Sequence, residues 1–436
     1  MTLDPQFLQS GNMTQNQLLM YTAQRMSGRK PILNMGMAIE IARELDPQQF
    51  RDSFDYVVGK SDALRSVFRF ADGGARRMVI EPAELEFELE VLDFSGQPEE
   101  AAQWMDQRIR QRINLKKRLF DSALLRIAED HYIWFLCQHH LICDGISFAN
   151  VVTHVGNRYA QLEAGDESGF DLPPYSDLVQ RDLEYYASDE AAVSREYWER
   201  MAEEPLPEFR MYDRGTEDGI TDFTRIHRHL DAELVGRIKT AIADETFRAF
   251  SQDQGVFLVL LSALILQLRR ATGNSVFTVG IPLHNRLTPQ EKITIGCFFI
   301  CSPIRVRYNP DDTFSDLYLQ VSKEYRKMLR HYRHPVIARE GERNWDVTFN
   351  YVNKTFPDFA GAATKITWLQ AGAYMANAFM GTQVHRFNTG GALTVEWDFN
   401  LGIFDTPERQ ETAMRDFEEA IEFGLAGPDA ALKEFA

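Results

Sequence analysis

The stretch YIWFLCQHHLICDGIS, residues 132–147, carries the clearest structural signal in the chain. Its first seven residues are almost all apolar, which is typical of an interior strand buried on both faces. The apolar run stops at His139 and His140, and Asp144 and Gly145 then form a turn before the next helix. An aspartate is favourable at the N-terminus of a helix. The stretch therefore predicts a strand, a turn and a helix, with polar side chains gathered at the strand end.

The two histidines are not equivalent, because neighbouring side chains of a strand point to opposite faces. One should face a cavity, while the other is held in the scaffold. An imidazole accepts a proton from an amine or an alcohol near neutral pH. Cys143 and Ser147 are the nearest nucleophiles, but no nucleophile-elbow glycine pattern surrounds them. The residues thus favour direct attack of an acceptor on an activated acyl donor.

Two other interpretations of these residues stay open. Both histidines can be structural, with satisfied hydrogen bonds at a strand end. Alternatively, His140 and Asp144 are four residues apart and can share a metal ion, but only on a helix and with a third ligand that the sequence does not identify. The pattern alone does not separate the catalytic, structural and metal-binding roles.

The chain has 436 residues, 44% of them hydrophobic and 12% aromatic, which is more than one hydrophobic core usually supports. We expect two lobes of about 200 residues each. The formal net charge of −17 argues against nucleic acid as the main partner, because nucleic-acid binding needs a basic face. A local basic patch remains compatible with that total.

The first twenty residues are polar and contain no apolar h-region, so no secretory signal is predicted. The longest apolar run, residues 256–268, is too short to span a bilayer and predicts a core helix. The expectation is a soluble, cytoplasmic protein without a membrane partner. The cysteines are too few for a disulfide framework and match no usual zinc spacing, so we expect free thiols in the core: Cys137, Cys143, Cys297 and Cys301.

Helices and strands alternate along the chain without a short repeat, which predicts an α+β architecture with two lobes. Residues 203–219 are polar and contain two prolines and two glycines, as linkers often do. We therefore assign residues 1–205 to an N-terminal lobe, residues 206–221 to a linker and residues 222–436 to a C-terminal lobe.

The pattern His-His-x-x-x-Asp-Gly at residues 139–145 resembles the signature of condensation domains of nonribosomal peptide synthetases and of the wider HHxxxDG acyltransferase superfamily. Further segments resemble other motifs of that family and follow the family's order along nearly the whole chain. They are residues 62–68 (DALRSVF), 174–178 (PYSDL), 197–198 (YW), 279–286 (VGIPLHNR), 295–300 (IGCFFI), 303–305 (PIR), 347–351 (VTFNY), 397–400 (WDFN) and 404–405 (FD).

The resemblance implies two chloramphenicol-acetyltransferase-like lobes that form a V-shaped pseudo-dimer with a central tunnel in a monomeric chain. Donor and acceptor would enter from opposite faces and meet at His140, which acts as a base or positions the nucleophile by a hydrogen bond. Gly145 would direct its backbone N–H toward the thioester carbonyl or the acceptor. Asp144 belongs to the same catalytic motif and would hold the loop through a bidentate bond to Arg286 between the lobes.

The resemblance also implies supporting residues around this motif. Four would be structural at the site: His139, Arg286, Arg65 and Trp198. Asn350 and Ser147 are secondary candidates for lining the tunnel. The motif implies no bound cofactor and no metal, because the substrate arrives on the phosphopantetheine of a carrier protein.

Some positions depart from the family pattern. Ile146 stands where many peptide-forming members have an aromatic residue, while Cys297, Ile300 and Cys301 replace the valine, asparagine and threonine of the second-lobe motif. These departures leave the identity of the acceptor open. Two subtypes do not fit: heterocyclising members have aspartates in place of both histidines, and epimerases have a glutamate near residues 284–286.

The function implied is transfer of a carrier-tethered acyl or aminoacyl group to an amine in natural-product biosynthesis. Ester formation on an alcohol is the alternative, and a non-catalytic module that recruits a carrier is the third hypothesis. Intact His140, Asp144 and Arg286 argue against that third case. The chain shows no adenylation domain and no phosphopantetheine attachment site, so we expect a free-standing or excised domain supplied by a separate acyl or peptidyl carrier protein.

Carrier proteins are usually acidic, so docking is expected on a local basic patch despite the negative total charge. Residues 323–333 (KEYRKMLRHYR) are the segment that we single out for this role. A solvated helix face explains the same charges equally well.

Overall fold

A computed structural model describes residues 12–71, 73–215, 222–337, 343–374, 378–387 and 392–435. The chain divides into two compact units. The first unit comprises residues 1–187, 284–299 and 354–375, and the second comprises residues 188–283, 300–353 and 376–436. Each unit combines one large sheet with helices, so the predicted α+β class is confirmed.

The strands are, in chain order, β1 (Asn34–Ile41), β2 (Ser66–Ala71), β3 (Gly74–Val79), β4 (Glu90–Asp93), β5 (Phe120–Ala128), β6 (His131–His139), β7 (Phe223–Leu230), β8 (Val276–His284), β9 (Phe299–Arg307), β10 (Val347–Val352), β11 (Thr364–Leu369), β12 (Met380–His385) and β13 (Leu393–Asn400). The α-helices are α1 (Gln15–Met26), α2 (Pro47–Lys60), α3 (Pro98–Ile109), α4 (Gly145–Glu163), α5 (Ser176–Tyr186), α6 (Asp189–Ala202), α7 (Ala232–Ala241), α8 (Gln252–Thr272), α9 (Pro289–Ile293), α10 (Phe314–Met328) and α11 (Pro407–Ala426).

The first unit is built on a five-stranded sheet with the order β11-β1-β6-β5-β4. Strand β6 lies in the middle and pairs antiparallel with both β1 and β5. Its side chains alternate between two apolar layers, as the sequence predicted. Trp134 packs edge-on against Phe50 and Phe54 of α2, with ring centroids 5.2 and 5.9 Å away, while Phe135 and Cys137 belong to a cluster with residues of α3. A hairpin of β2 and β3 forms a separate two-stranded sheet.

The second unit is built on a six-stranded sheet with the order β7-β13-β12-β10-β8-β9. Every residue of β13 is buried. Helix α8 packs against α10 and α11. Among the described residues, α8 is the one helix long and apolar enough to cross a membrane, but 83% of its most apolar window is buried. That burial is what a core helix shows, as the apolar run of residues 256–268 predicted.

The observed division of the chain differs from the assignment made on the sequence. The units separate between Ala187 and Ser188, and α6 packs with the second unit. Phe209 and Met211 lie in the core of that unit, so the described part of the expected linker is packed rather than free. Residues 216–221 of the expected linker lie outside the described residues.

Two segments from the second half of the sequence belong to the first unit. Residues 354–375 supply β11, which pairs antiparallel with β1 at the edge of the five-stranded sheet. Residues 284–299 contain α9 and the residues around it, and we call them the inserted segment. The inserted segment completes the surroundings of the β6 strand end.

Candidate active site

His140 directly follows the last residue of β6 and is held by its backbone and by its ring. Its N–H donates to the carbonyl of Leu33 at 2.8 Å, and its ring Nδ1 lies 2.8 Å from the carbonyl oxygen of Cys143. A carbonyl oxygen only accepts hydrogen bonds, so Nδ1 must carry the ring proton. Nε2 therefore presents its lone pair away from this turn.

The surroundings of His140 favour the neutral ring. Its side chain is partly exposed, and the ring of Phe299 lies 4.7 Å from it, centroid to centroid. Burial lowers the pKa of His140 below its ordinary value, although the Asp144 charge and the Cys143 carbonyl act in the opposite direction. A neutral imidazole with a free Nε2 lone pair can accept a proton or a hydrogen bond at neutral pH.

His139 points into the scaffold, as the alternation along the strand predicted. It is 1% exposed, its Nδ1 accepts from the N–H of Leu141 at 3.2 Å, and its Nε2 lies 3.3 Å from Oε1 of Gln24. Burial, with a smaller contribution from neighbouring His140, lowers the pKa of His139 to about 3. His139 is therefore a neutral, fully engaged residue of the scaffold.

Asp144 ends the turn and caps α4 through a 2.8 Å hydrogen bond from the N–H of Ser147. Its carboxylate also accepts from the N–H of Phe298, and Nη2 of Arg286 lies 2.9 and 3.0 Å from its two oxygens. Burial alone would raise the pKa of Asp144, but Arg286 and these N–H groups hold it below its ordinary value. Asp144 is thus an ionised structural anion.

The Asp144–Arg286 pair differs from the predicted one in two respects. A single guanidinium nitrogen contacts both carboxylate oxygens, so the bond is not a two-nitrogen fork, because Nη1 donates instead to the carbonyls of Glu291 and Thr294. The pair also lies within the first unit, since Arg286 belongs to the inserted segment. A bond between lobes was expected.

Ser147 occupies the middle of the same buried network. Its hydroxyl contacts Asp144 at 3.0 Å and the carbonyl oxygen of Gly296, and it accepts from Arg286 Nη2 at 2.9 Å and from the Gly296 N–H at 3.0 Å. Ser147 is 0% exposed. This position does not agree with the predicted lining role, and it leaves the hydroxyl engaged rather than available as a nucleophile.

Gly145 is the first residue of α4, and its neighbourhood is open. A Cβ at this position would meet no described atom of the chain within 4 Å. The packing of the protein itself therefore does not require glycine there. The first N–H groups of a helix have no intrahelical acceptor and carry its positive dipole end, so they suit a developing negative charge.

The inserted segment is fixed by residues that the sequence analysis did not single out. Tyr175 donates its hydroxyl to the carbonyl of Cys297 at 2.8 Å, and its ring lies so close to Gly296 that a Cβ there would be 2.0 Å from Cδ2. Asn150 and His154 on α4 bind the backbone carbonyls of residues 292–294 at 2.9–3.0 Å. Only the spacing of Asn150 and His154 on one face of α4 was visible in the sequence.

Three of the four cysteines are buried, as expected from the sequence, and the fourth departs from that expectation. Cys137, Cys143 and Cys297 are buried, whereas Cys301 is partly exposed. Burial raises the pKa of each of these thiols above its ordinary value. A thiol held protonated is a poor nucleophile, which argues against a covalent intermediate on Cys143.

Three further predicted site residues lie away from His140 in sequence and have structural contacts. Arg65, in the first unit, donates from Nη1 to the carbonyl of Ile80 at 2.6 Å. Trp198 was assigned to the N-terminal lobe but lies in the core of the second unit, where its Nε1 donates to the carbonyl of His331 at 3.0 Å. Asn350 is partly exposed on β10 of the second unit, with its Nδ2 3.3 Å from Oε1 of Gln383.

The metal-binding hypothesis finds no support in the geometry. Both carboxylate oxygens of Asp144 are already bound by Arg286 and backbone N–H groups. Across the part of the chain that the structure describes, no three His, Cys, Asp or Glu side chains gather in a way that could hold a metal ion.

Comparisons with known proteins identify the family of the chain. The family model of the Condensation domain matches residues 11–436. The chain is 26% identical to an isonitrile lipopeptide synthase of Streptomyces coeruleorubidus, over 98% of this chain and 29% of that protein. It is 24% identical to a dimodular nonribosomal peptide synthase of Bacillus subtilis, over 90% of this chain and 17% of that protein. The chain thus spans less than a third of the length of these curated relatives.

Solved structures show the same fold at low sequence identity. The starter condensation domain of rhizomide synthetase superposes with a TM-score of 0.84 at 22% identity, covering 97% of this chain and 96% of that one. The first condensation domain of the calcium-dependent antibiotic synthetase superposes with a TM-score of 0.83 at 20% identity, covering 97% of each chain. With the HHxxxDG network intact and the family model matched over nearly its whole length, this chain belongs to the condensation domain family of acyltransferases of nonribosomal peptide synthetases.

Proposed function

We propose that this domain forms an amide bond by transferring an acyl or aminoacyl group from a phosphopantetheine thioester on a carrier protein to an amine. The family assignment supports acyl transfer. The names of the relatives, a lipopeptide synthase and a peptide synthase, support an amine acceptor over an alcohol. The domain itself contributes no cofactor to this reaction, because the thioester arm belongs to the substrate.

The observation that carries the proposal is the hydrogen bond between His140 Nδ1 and the Cys143 carbonyl. It leaves the Nε2 lone pair to face the acceptor amine. The amine nitrogen attacks the thioester carbon, a C–N bond forms, the C–S bond breaks, and the thiol departs. The proton lost by the amine passes to His140 Nε2 and on to the leaving sulfur. This route needs the neutral ring that the lowered pKa of His140 provides.

Other groups in the motif support this step without taking the proton. The Gly145 N–H, at the positive end of α4, stabilises the negative charge that develops on the thioester oxygen. Asp144 is bound to Arg286 and ionised, so it positions the turn that carries His140. Cys143 and Ser147 are buried and engaged, which supports direct transfer rather than an acyl-enzyme.

The test is intact-protein mass spectrometry of acylated carrier proteins incubated with amine and alcohol acceptors in parallel. We expect acyl loss from the carrier and an amide product with the wild-type domain. His140→Ala should lower the rate by about 10²- to 10⁴-fold, the usual contribution of a general base. An ester product formed in preference to an amide would overturn the acceptor class, and unchanged turnover by His140→Ala would overturn the role of His140.

The chain offers a matched control on the same strand. His131 is the first residue of β6, and its side chain is 39% exposed. His131→Ala removes an imidazole from the opposite end of β6 and should leave the rate within about twofold of wild type. A folded His140→Ala domain, verified by its thermal unfolding, completes the comparison.

A further inference from the structure

We propose that the carrier protein docks on a basic surface of the first unit that borders the β6 strand end. This surface, which we call the basic rim, is formed by residues 108–118, by one face of the β2–β3 hairpin and by residues 25–30. The carrier as occupant rests on the proposed function, whereas the surface itself rests on the charges and contacts below.

Positive charge is concentrated in two short segments of the rim. Residues 108–118 (RIRQRINLKKR) contain six arginines and lysines and no acidic residue, and residues 25–30 (RMSGRK) contain three and none. Four of the six cations in residues 108–118 form ion pairs with acidic residues of the first unit, so the positive charge of this segment that is left for a partner is on Arg112 and Lys116. Residues 323–333 contain five cations with one glutamate. In a chain with a net charge of −17, Arg112 and Lys116 next to the arginines of the hairpin are a feature that an acidic partner can recognise.

The β2–β3 hairpin carries two facing arginines on its rim face. Arg69 and Arg76 are directly opposite each other in the β2–β3 ladder, and Met78, on the same face, is 44% exposed. Like charges in directly opposite positions destabilise a strand pair. No acidic partner contacts either arginine among the described residues. Two facing arginines therefore become favourable only when an anionic surface covers them.

Two of the three segments are in direct contact, and helix α1, which ends within the third, packs against the hairpin. The N–H of Phe68 on β2 donates to the carbonyl of Leu115 at 2.7 Å, and Arg69 Nη2 lies 3.4 Å from the carbonyl of Lys116. The ring of Tyr21 on α1 stacks on Phe68 at 6.4 Å. The Arg69 face of the hairpin is thus adjacent to residues 108–118, whereas α1 packs on the opposite face of the hairpin through Phe68.

The rim also leads directly to the active site. The carbonyl of Leu119 accepts from the N–H of His139 at 2.7 Å, and Asn34, which pairs with His139, binds the carbonyls of Ile109 and Gln111 at 2.9 and 2.8 Å. On the other side, Gln24 contacts both the Lys30 carbonyl, at 2.9 Å, and the His139 ring. A partner on the rim is therefore next to the strand end that presents His140.

Apolar side chains complete the surface. Met26 is 76% exposed and lies between the cations of residues 25–30, and Met78, on the same hairpin face as Arg69 and Arg76, is 44% exposed. A mixture of exposed apolar residues and cations fits an acidic helical protein, which buries the apolar groups and pairs the charges. It fits nucleic acid less well, because the strongly acidic total charge opposes binding of a polyanion.

The experiment compares two charge reversals of equal size. The rim variant is Arg69→Glu, Arg112→Glu and Lys116→Glu, all exposed cations without an acidic partner in the described part of the chain. The control variant is Lys323→Glu, Arg326→Glu and Arg330→Glu, which are exposed on and just after α10. Titration with an acidic acyl carrier protein in its holo form, at low and high salt, measures Kd for each.

We expect the rim variant to bind the carrier at least about tenfold more weakly at low salt and to lose most of the salt dependence. The control variant should bind within about twofold of wild type. Turnover of the same acyl group on a small soluble thioester, which needs no docking, should be unchanged in the rim variant. Equal carrier affinity of rim variant and wild type, or weakening in the control variant alone, would overturn the proposal.

The readouts also separate this proposal from the proposed function. If the rim variant loses carrier affinity but the wild-type domain transfers no acyl group, the docking surface is supported and the proposed reaction is contradicted. Tighter binding of a single-stranded 20-nucleotide RNA than of the carrier, abolished in the rim variant, would overturn the carrier as occupant in favour of nucleic acid.

Discussion

Each unit contains a buried arginine–carboxylate pair, and the two pairs have different geometry. In the second unit, Arg225 and Asp398 are opposite each other on β7 and β13, and Nε and Nη2 form a fork at 2.9 and 2.7 Å. In the first unit, Nη2 of Arg286 bridges both oxygens of Asp144, because Nη1 donates to backbone carbonyls instead.

The difference shows what each pair does. The fork joins neighbouring strands whose backbones are already paired, so it reinforces a register. The bridge joins a turn to the inserted segment, 142 residues further along the chain, and no sheet pairing does this for it. The turn is thus joined to the inserted segment by this ion pair and by side-chain and backbone hydrogen bonds, whereas the strands of the second sheet have ladder pairing in addition.

The largest loss of unfolding free energy is expected from Asp144→Ala. It leaves Arg286 buried without a counter-charge, and removing one partner of a buried pair costs about 3–5 kcal/mol of unfolding free energy. Chemical denaturation measures this loss. A variant that unfolds like wild type yet transfers no acyl group would instead place Asp144 in the chemistry.

Asp398→Ala should lower the unfolding free energy less than Asp144→Ala does, although two nitrogens of Arg225 contact the Asp398 carboxylate. Arg225 keeps Glu396, whose Oε2 is 3.1 Å away, and the Arg225 side chain is 12% exposed. We expect a loss of about 2 kcal/mol, the value of hydrogen bonds to a charged group. The same denaturation experiment checks it, and a loss equal to that of Asp144→Ala would contradict the distinction between the two pairs.

The buried neutral ring of His139 predicts how the unfolding free energy changes with pH. The folded pKa is about 3, whereas the unfolded value is near 6.5, so the unfolded state binds more protons between these values. The stability associated with neutral His139 is therefore present above about pH 6.5 and is lost progressively as the pH falls. His139→Gln should reduce the slope of unfolding free energy between pH 6.5 and 5 by about 1 kcal/mol per pH unit. An unchanged slope would contradict the buried neutral ring.

The smallest effect on stability is expected from Tyr175→Phe. It leaves the Cys297 carbonyl without the donor that holds the inserted segment, at a cost of about 1 kcal/mol. Tyr175 is a positioning residue, because Cys297 and Phe299 contribute to the surroundings of His140. The acid limb of the pH–rate profile should shift toward the ordinary pKa of histidine. A loss of stability with an unshifted pH–rate profile would show that Tyr175 has only a structural role.

The sequence predicted helices and strands best where their signals come from residues close together in the chain. Strand β6, the turn and α4 were all anticipated, because an apolar run and a capping aspartate lie within one short stretch. Strands β11 and β12 were not anticipated. MGTQVH lacks a clear alternation, and TKITWL alternates over only four residues, Lys365 to Trp368, before it pairs with β1 at the edge of the sheet.

The candidate site was anticipated in part. The opposite orientations of His139 and His140 follow from strand geometry, and the resemblance indicated the Asp144–Arg286 pair. The buried position of Ser147 and the role of Tyr175 were missed. Both depend on the inserted segment, whose packing against α4 and α5 no local pattern reveals.

By itself the sequence determined the α+β class, the strand that ends at His140 and the capped helix that follows it. These depend on side-chain periodicity and on short-range hydrogen bonds, which involve residues close together in the chain. Only the tertiary structure decided which atoms of His140 are free, which unit holds Arg286 and which basic segment borders the strand end. The free atom of His140 follows from the turn that places the Cys143 carbonyl against Nδ1. The other two features depend on contacts between distant parts of the chain, such as Arg286 with Asp144 over 142 residues, and such contacts form only when the core is packed.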